Sequence, residues 1–564
     1  MLSLAVSLCL AQVVVPPGLG TPPGGLDGGT PIADAFTDCR QCHDRVALAN
    51  PAAPFDGWAS SMMALSLKHP LFNAALTVAE QDLPGSRAWC LRCHAPQSYV
   101  RGQLTPSDHA QGVTCDACHR SIAPAVIGNA QLTWERSNVK YGPYPDLANA
   151  AHTSSNAGIT ASSELCGQCH HLTNPFVPWR DLDDGGYRGP EFPLDTTYDE
   201  WSQSQYARPG TTQTCQDCHL PRVHLPDGGD TQLLVGVGGL LRTSPRSHAL
   251  VGGNVWGLDA VQRADPAGTA ALSGQLEETK RLTRELLSKA ATLQMTTPAT
   301  VEPEDDVAIY VRVDNKTGHK LPTGFADGRR IVVQVLVDGK VLTGGFDGGH
   351  VFDDGWLRIY EAKHGTYDAG IGNHFVLHDT VFRDTRLPPA GFAPPPGAPT
   401  RPMPEFLYQL EDGGYLDYDE VVWHAQLPPT LTHGQSFDIT ARLLYQSTSP
   451  AYVRFLRSEN HTDDAGQQLL DVWSATAEAA PIEMLRVVNR VTVVDPLFGK
   501  ADSGTPDAGD GGSANDAGPP DAGPVTPRPP DVTYRCGCST LEPGVALLLL
   551  LAPVALLRRR RRIG

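Results

Sequence analysis

The sequence predicts a mixed fold: a loop-rich, mainly helical region, then a linking helix, then an all-β, sandwich-like domain. Three observations carry that expectation. A Cys-x-x-Cys-His pattern recurs five times between residues 36 and 253, among short helical pieces and Gly/Pro-rich loops. Residues 274–292 ("GQLEETKRLTRELLSKAAT") place Leu276, Leu282, Leu286 and Leu287 at helical spacings with charges between, the pattern of an amphipathic helix. From Asp306 the apolar period becomes two, as in half-buried strands.

The boundaries follow in chain order. Residues 1–11 hold a short apolar segment ending in Ala11, too short to span a bilayer and read as a signal peptide; Cys9 belongs to it. Residues 12–35 form a Gly/Pro-rich mature N-terminus, 36–253 the motif-bearing domain, 254–302 a linker with the helix, and 303–497 the β-domain. Residues 498–535 are rich in Asp, Gly, Pro and Ala and have too few apolar groups to bury, so they read as a disordered spacer. Residues 536–564 form a tail.

Five repeats decide the chemistry: Cys39-x-x-Cys42-His43, Cys90-x-x-Cys93-His94, Cys115-x-x-Cys118-His119, Cys166-x-x-Cys169-His170 and Cys215-x-x-Cys218-His219. The chain's own Cys and His frequencies would produce about 0.01 such motifs by chance. Two thiols separated by two residues reach both vinyl groups of one haem, and the histidine that follows lies under the iron as proximal ligand. Disulfides would not require a histidine after every second cysteine. Zinc sites would need two cysteine pairs, or one pair plus two histidines, at matched spacing, whereas five is an odd number of pairs and the recurring adjacent histidine would have no role; thioredoxin-like pairs would need a strand–helix context. The pattern therefore implies five covalently attached haem c groups, an attachment made outside the cytoplasm. Crowded haems would replace much of the usual side-chain core, with helical pieces such as residues 58–67 and 69–80 packed around them.

The sixth ligand of each iron is open. Candidates are Met62, Met63, His69, His109, His152, His224 and His248, with His152 and His248 foremost because each lies in a loop next to a motif. Met62 and Met63 could equally pack against a porphyrin face. His171 directly follows His170 and cannot cap the opposite face of the same haem. Beyond the motifs, "DNKTGHKLPTG" holds His319 between turn-forming residues, which would keep the ring still.

In the β-domain, "VAIYVRVDN", "RRIVVQVLVDGKVL", "WLRIYEA", "HFVLHDTVF", "EVVWHAQL", "FDITARLLYQ" and "RVVNRVTVV" are β-branched or aromatic runs, enough for a sandwich. A helix is expected over residues 466–477. Asp306, Asp347, Asp353 and Asp354 could suggest a Ca²⁺ site, although acidic loop residues are ordinarily just solvated.

"WASSMMA", "WCLRCHAP", "GVTCDACHR", "SELCGQCHHLTNP", "TYDEW", "TCQDCHLP", "GHKLPTGFADGRR", "HFVLHDTVFRDTRLPPAGF" and "LLYQSTS" together resemble a family of exported multihaem cytochromes c. That family is related to the nitrifier electron-carrier tetrahaem cytochrome c superfamily. The resemblance spans roughly residues 36–496 and implies that His319 is a distal haem ligand supplied by the β-domain. His171 departs from the family pattern. At the other end, "RCGCSTLEPGVALLLLLAPVALLRRRRRIG" has a 13-residue apolar run and five arginines. The run is roughly 20 Å long as a helix, short of the about 30 Å hydrocarbon core. This tail resembles the C-terminal sorting tail of myxobacterial surface proteins, which implies export, cleavage near Cys536 or Cys538, and display at the envelope. A plain tail anchor is the alternative, its arginines facing the cytoplasm.

The functional expectation is electron relay through five haems, in the periplasm, at the outer membrane or at the cell surface. Redox donor and acceptor proteins would be the partners, with membrane contact through the tail before processing. The alternative is a haem oxidoreductase acting on a small nitrogen or sulfur compound at one five-coordinate haem. All five motifs end in His, so no variant proximal ligand marks a catalytic haem, and no catalytic residue is assigned. A third reading has the β-domain bind another protein. The net charge of −18 excludes a nucleic-acid partner, which requires a basic face.

Overall fold

The computed structural model describes residues 38–48, 53–100, 112–135, 137–144, 151–156, 158–224, 228–325, 327–347 and 349–495. The signal segment, the spacer, the tail with Cys536 and Cys538, and His109 lie outside the described residues. Chain contacts divide the protein between Phe498 and Gly499, so the motif-bearing region and the β-region belong to one unit. No described helix is long and apolar enough to cross a membrane.

Up to Lys289 the chain is built of short helices: α1 (Arg40–His43), α2 (Pro54–Ala59), α3 (Pro70–Asp82), α4 (Ser86–His94), α5 (Cys115–His119), α6 (Ser163–His170), α7 (Thr197–Ser202), α8 (Cys215–His219), α9 (Val255–Ala264) and α10 (Ser273–Lys289). The described strands among them are two to four residues long and pair only in twos, as β1 (Leu172–Asn174) does with β2 (Phe192–Asp195). Apolar burial is broken into small clusters, such as Phe55, Trp58, Ala59 and Ala64 or Leu67, Leu91, Ala95 and Tyr99. Residues 58–67 do not form the single helix that their apolar spacing suggests. Helix α2 stops at Ala59, because Ser60 Oγ donates back to the Asp56 and Gly57 carbonyls (3.2 and 3.1 Å) and Ser61 Oγ accepts from Ala64 N (3.2 Å). Serine hydroxyls compete here with the helical ladder.

Helix α10 ends at Lys289, short of residue 292. Ala291 already opens β3 (Ala291–Thr296), which pairs with β4 (Asp306–Asn315) from Ala291↔Asn315 onward; strand pairing overrides the helical spacing. Apart from two-residue strands, those that follow are β5 (Arg330–Val337), β6 (Lys340–Thr343), β7 (Arg358–Tyr360), β8 (Ala362–Thr366), β9 (Thr380–Asp384), β10 (Tyr418–Gln426), β11 (Ser436–Gln446) and β12 (Ile482–Val493). One sheet runs β3-β4-β10; a second joins the short strand Thr300–Val301 to β12-β11-β5-β6, with β7 also on β5; a third places β8 between β9 and the short strand Gly370–Ile371. The first half of "HFVLHDTVF" is a 3-10 turn (Phe375–Leu377), and only Thr380–Asp384 is strand.

Alternation places Val307, Ile309, Val311 and Val313 of β4 inward, with Tyr310 exposed. Ile309 lies opposite Trp423 of β10. These residues share one core with Ile331, Val333, Ile439, Leu443 and Val491 from the other sheet, a contiguous apolar interior of the kind the motif region lacks. Asp338 and Gly339 link β5 to β6 with φ of 49° and 73°, as a two-residue hairpin turn demands.

Two helices between β11 and β12 reach back over the motif region. Helices α11 (Pro450–Glu459) and α12 (Ala465–Ala475) bury Tyr452, Val453, Leu456, Leu469 and Trp473 against Ala74 and Val78 of α3 and Trp256 and Ala260 of α9. Thr77 Oγ1 donates to Asp463 Oδ2 (2.8 Å), and Trp256 Nε1 donates to Thr476 Oγ1 (2.9 Å).

Candidate functional site

Each Cys-x-x-Cys-His motif ends a short helix, or forms nearly all of one. Positions i, i+3 and i+4 fall on one helical face, so two thiols and an imidazole point the same way from five separate helices. Local caps hold these brief helices: Thr214 N donates to Asp217 Oδ2 (2.7 Å) in a capping box on α8, and Ser162 Oγ accepts from Glu164 N (3.2 Å) on α6. None of the ten motif cysteines is in a disulfide.

Motifs distant in sequence are brought side by side. Cys39 lies beside Cys115, Cys93 beside Cys169 and Cys166 beside Cys215. Cys118 lies near Cys169. The first motif therefore abuts the third, and the fourth lies against the second, third and fifth.

Three motif histidines face a second histidine across a consistent gap. His43 pairs with His152 at 6.4 Å between ring centres and 18° between planes; His119 pairs with His248 at 6.1 Å and 23°; His219 pairs with His319 at 6.2 Å and 24°. Two imidazoles bound to opposite faces of one metal at about 2.0 Å per bond, each ring centre about 1.1 Å behind its nitrogen, have centres about 6.2 Å apart. The three gaps fit an iron between each pair.

The tautomers agree with that use. His43, His119 and His219 each place Nδ1 at 2.6 Å from a backbone carbonyl, of Val235, Tyr141 and Val251 respectively, and His319 Nδ1 lies 2.9 Å from Lys320 O. A carbonyl only accepts, so Nδ1 carries the proton and Nε2 keeps its lone pair. Burial pushes His219 and His248 down to about 4, each with its partner imidazole as the next cause. Neutral rings are what iron ligation needs.

The other histidines stand differently. His94 stacks on Phe72 (3.9 Å, 16°), and His170 Nδ1 lies 3.6 Å from Asp195 Oδ2. Among the described residues, no histidine pairs with either at the spacing of the other three. His69 is buried, its Nε2 has no hydrogen-bond partner, and its ring meets Trp256 edge-on. Burial lowers it to about 4, with His94 the next cause, so it stands in the field of the second motif. His171 is held by Asp199 (3.0 Å). His224 is exposed beside Asp230 (3.8 Å). Met62 packs against Leu65, Leu258, Val261 and Leu276; Met63 uses its backbone carbonyl to accept from Val113 N (2.9 Å).

The His319 loop is fixed from both regions. Asn315 Nδ2 donates to His319 O (2.8 Å) and Leu387 O (2.9 Å). Glu200 of α7 accepts from Lys320 N (3.0 Å) and Thr323 Oγ1 (2.7 Å) through Oε2, and its Oε1 meets Arg386 (3.0 Å). Arg386 and Lys320 both reach Asp384 Oδ2 (2.7 and 2.6 Å). Two acids and two bases are thus buried together, with side chains no more than 5% exposed. No spacing rule marks this network, because its members are separated by up to 186 positions between Glu200 and Arg386. A further cation, Arg329, anchored on Thr323 O (2.6 Å), lowers His69, His219 and His319 after burial and other neighbours.

Residues 38–120, which hold the first three motifs, match the family model "Cytochrome c554 and c-prime". A solved structure, a penta-heme cytochrome c552 from Thermochromatium tepidum, aligns with a TM-score of 0.46 at 17% identity, covering 80% of this chain and 97% of that chain. No curated protein matches. The family match and the repeated Cys-x-x-Cys-His motifs support a multihaem cytochrome c with covalently bound haem.

Proposed function

We propose that the chain relays electrons through five covalently attached haems in the cell envelope or at the cell surface. Cys39 and Cys42, Cys90 and Cys93, Cys115 and Cys118, Cys166 and Cys169, and Cys215 and Cys218 attach them; His43, His94, His119, His170 and His219 are the proximal ligands. His152, His248 and His319 supply the distal ligands of the first, third and fifth haems. The observation that carries this reading is the three near-parallel imidazole pairs, each spaced to hold one iron. His69 is the distal candidate for the second haem. Redox proteins donate and accept the electrons, and the tail directs the exported chain to the envelope.

Haem quantitation together with low-temperature EPR tests the proposal. Five haems per chain, with at least three low-spin ferric centres, are expected. Fewer than five haems, or a high-spin signal at the His219 haem, would count against it.

One observation favours a second reading for a single centre. His170 faces no paired imidazole among the described residues, and its motif lies against three others. An open sixth position there would let the fourth haem reduce or oxidise a small nitrogen or sulfur compound. Carbon monoxide binding to one haem of the reduced protein separates this oxidoreductase reading from a relay with all irons six-coordinate.

A further inference from the structure

Asp327, His364 and His378 meet in the β-region, beside the apolar cluster of Phe192 and Val376 against which Cys90 of the second motif packs. Asp327 lies in the turn ahead of β5, His364 on β8, and His378 just after the Phe375–Leu377 turn. Their side chains are 5%, 6% and 1% exposed. One ligand atom from each lies within 4.8 Å of the other two. Asp327 Oδ2 is 3.0 Å from His364 Nδ1 and 3.7 Å from His378 Nδ1. The other carboxylate oxygen, Oδ1, accepts from His364 N (3.1 Å), which fixes the plane of the carboxylate.

The tautomer of His378 makes this cluster more than a hydrogen-bonded triad. His378 Nε2 lies 3.2 Å from Gly372 O, and a carbonyl cannot donate, so Nε2 carries the proton. Nδ1 is then a bare lone pair. It is buried without a hydrogen-bond partner and turned toward a carboxylate oxygen at 3.7 Å. Two lone-pair donors facing each other in a dry interior repel, and a buried acceptor left unmade is costly. A cation between them turns the repulsion into two bonds. Phe192 stands edge-on to both rings (5.2 and 6.3 Å) and Phe375 edge-on to His378 (6.3 Å), giving an apolar wall that excludes water from that side.

We infer that Asp327, His364 and His378 form a binding site for one divalent first-row transition ion of the zinc type. The donor set, two imidazole nitrogens and one carboxylate oxygen, suits that class. Hard cations such as Ca²⁺ prefer six to eight oxygens. The site joins the turn ahead of β5 to β8 and to the turn that precedes β9, next to Phe192 of β2, and so pins β-region loops beside a strand of the haem region.

The test uses the full protein with its haems attached. After chelator treatment and dialysis against Zn²⁺, elemental analysis should find one zinc per chain, and zinc-edge X-ray absorption should show two imidazoles and an oxygen at about 2.0–2.1 Å. Asp327→Asn and His378→Gln should each weaken zinc binding at least about tenfold while the haem count and low-spin EPR signals stay unchanged. Absence of stoichiometric zinc from the wild-type protein overturns the inference. So does a zinc shell without two imidazoles, or full zinc retention in the double variant. If either variant loses haem through misfolding, the absorption spectrum of the wild-type protein decides alone.

Discussion

The two regions of the molecule solve the problem of an interior in opposite ways. The β-region buries a continuous set of aliphatic and aromatic side chains between two sheets, from Val307 and Ile309 to Ile439 and Val491. The motif region has strands of at most four residues, helices often of a single turn, and apolar groups scattered into small clusters. Alternating strands are self-sufficient, because each adds area to one core. A chain whose helices point thiols and imidazoles inward relies on something other than side chains to complete its interior.

The largest expected effect follows from that contrast. If the protein is expressed without covalent haem attachment, the helices of residues 38–253 should be lost while β-structure is retained, as read by far-ultraviolet circular dichroism and limited proteolysis. A fully helical apoprotein would erase the distinction between the regions.

The seam comes next. Arg386→Ala leaves Glu200 and Asp384 buried with only Lys320 to offset them and should cost about 3–5 kcal/mol of unfolding free energy in urea. A loss well below that range would mean the seam is held by apolar packing. His319→Ala acts at the same place but on the metal: one haem should become high-spin in EPR with little change in the urea midpoint. An unchanged spectrum would falsify the role given to this loop.

Acid should loosen the seam as well. Burial alone would raise the Asp384 carboxyl, but Arg386 and Lys320 overcome it and hold Asp384 well below its usual 3.8. A depressed folded value means that the stabilisation is present above the unfolded value and is lost as pH falls through the folded one. Stability measured from pH 5 downward should therefore drop less steeply in Asp384→Asn than in wild type.

The smallest effect lies wholly inside the β-region. Gly339 has φ of 73° and open space where a Cβ would go, so Gly339→Ala should cost only about 1 kcal/mol, the backbone term alone, seen as a small shift in the thermal midpoint.

Local signals were legible where period or spacing carries the physics. The five motifs stand out because thioether attachment imposes a fixed spacing. Most of the alternating runs became strands because burial on one face imposes a period of two; the first half of "HFVLHDTVF" did not. Helix α11 was not among the expected elements; it starts where Ser449 Oγ accepts from Tyr452 N (3.2 Å), a cap that no repeat or period announces. His152, His248 and His319 could be nominated from loops and resemblance, yet which motif each faces depends on chain crossings that no spacing encodes. The same is true of Asp327, His364 and His378. Met62 shows a different limit: its thioether has the same sequence signature whether it packs on Leu65 and Leu258 or faces a metal.

The buried charge seam also imposes an order of assembly. Glu200 sits before the fifth motif, but Lys320, Asp384 and Arg386 all follow it by 100 positions or more. If the chain is exported N-terminus first, all ten motif cysteines emerge before the groups that close over the fifth site. In that order the ten thiols would be open to haem attachment first, and the C-terminal half would close over them afterwards as a latch.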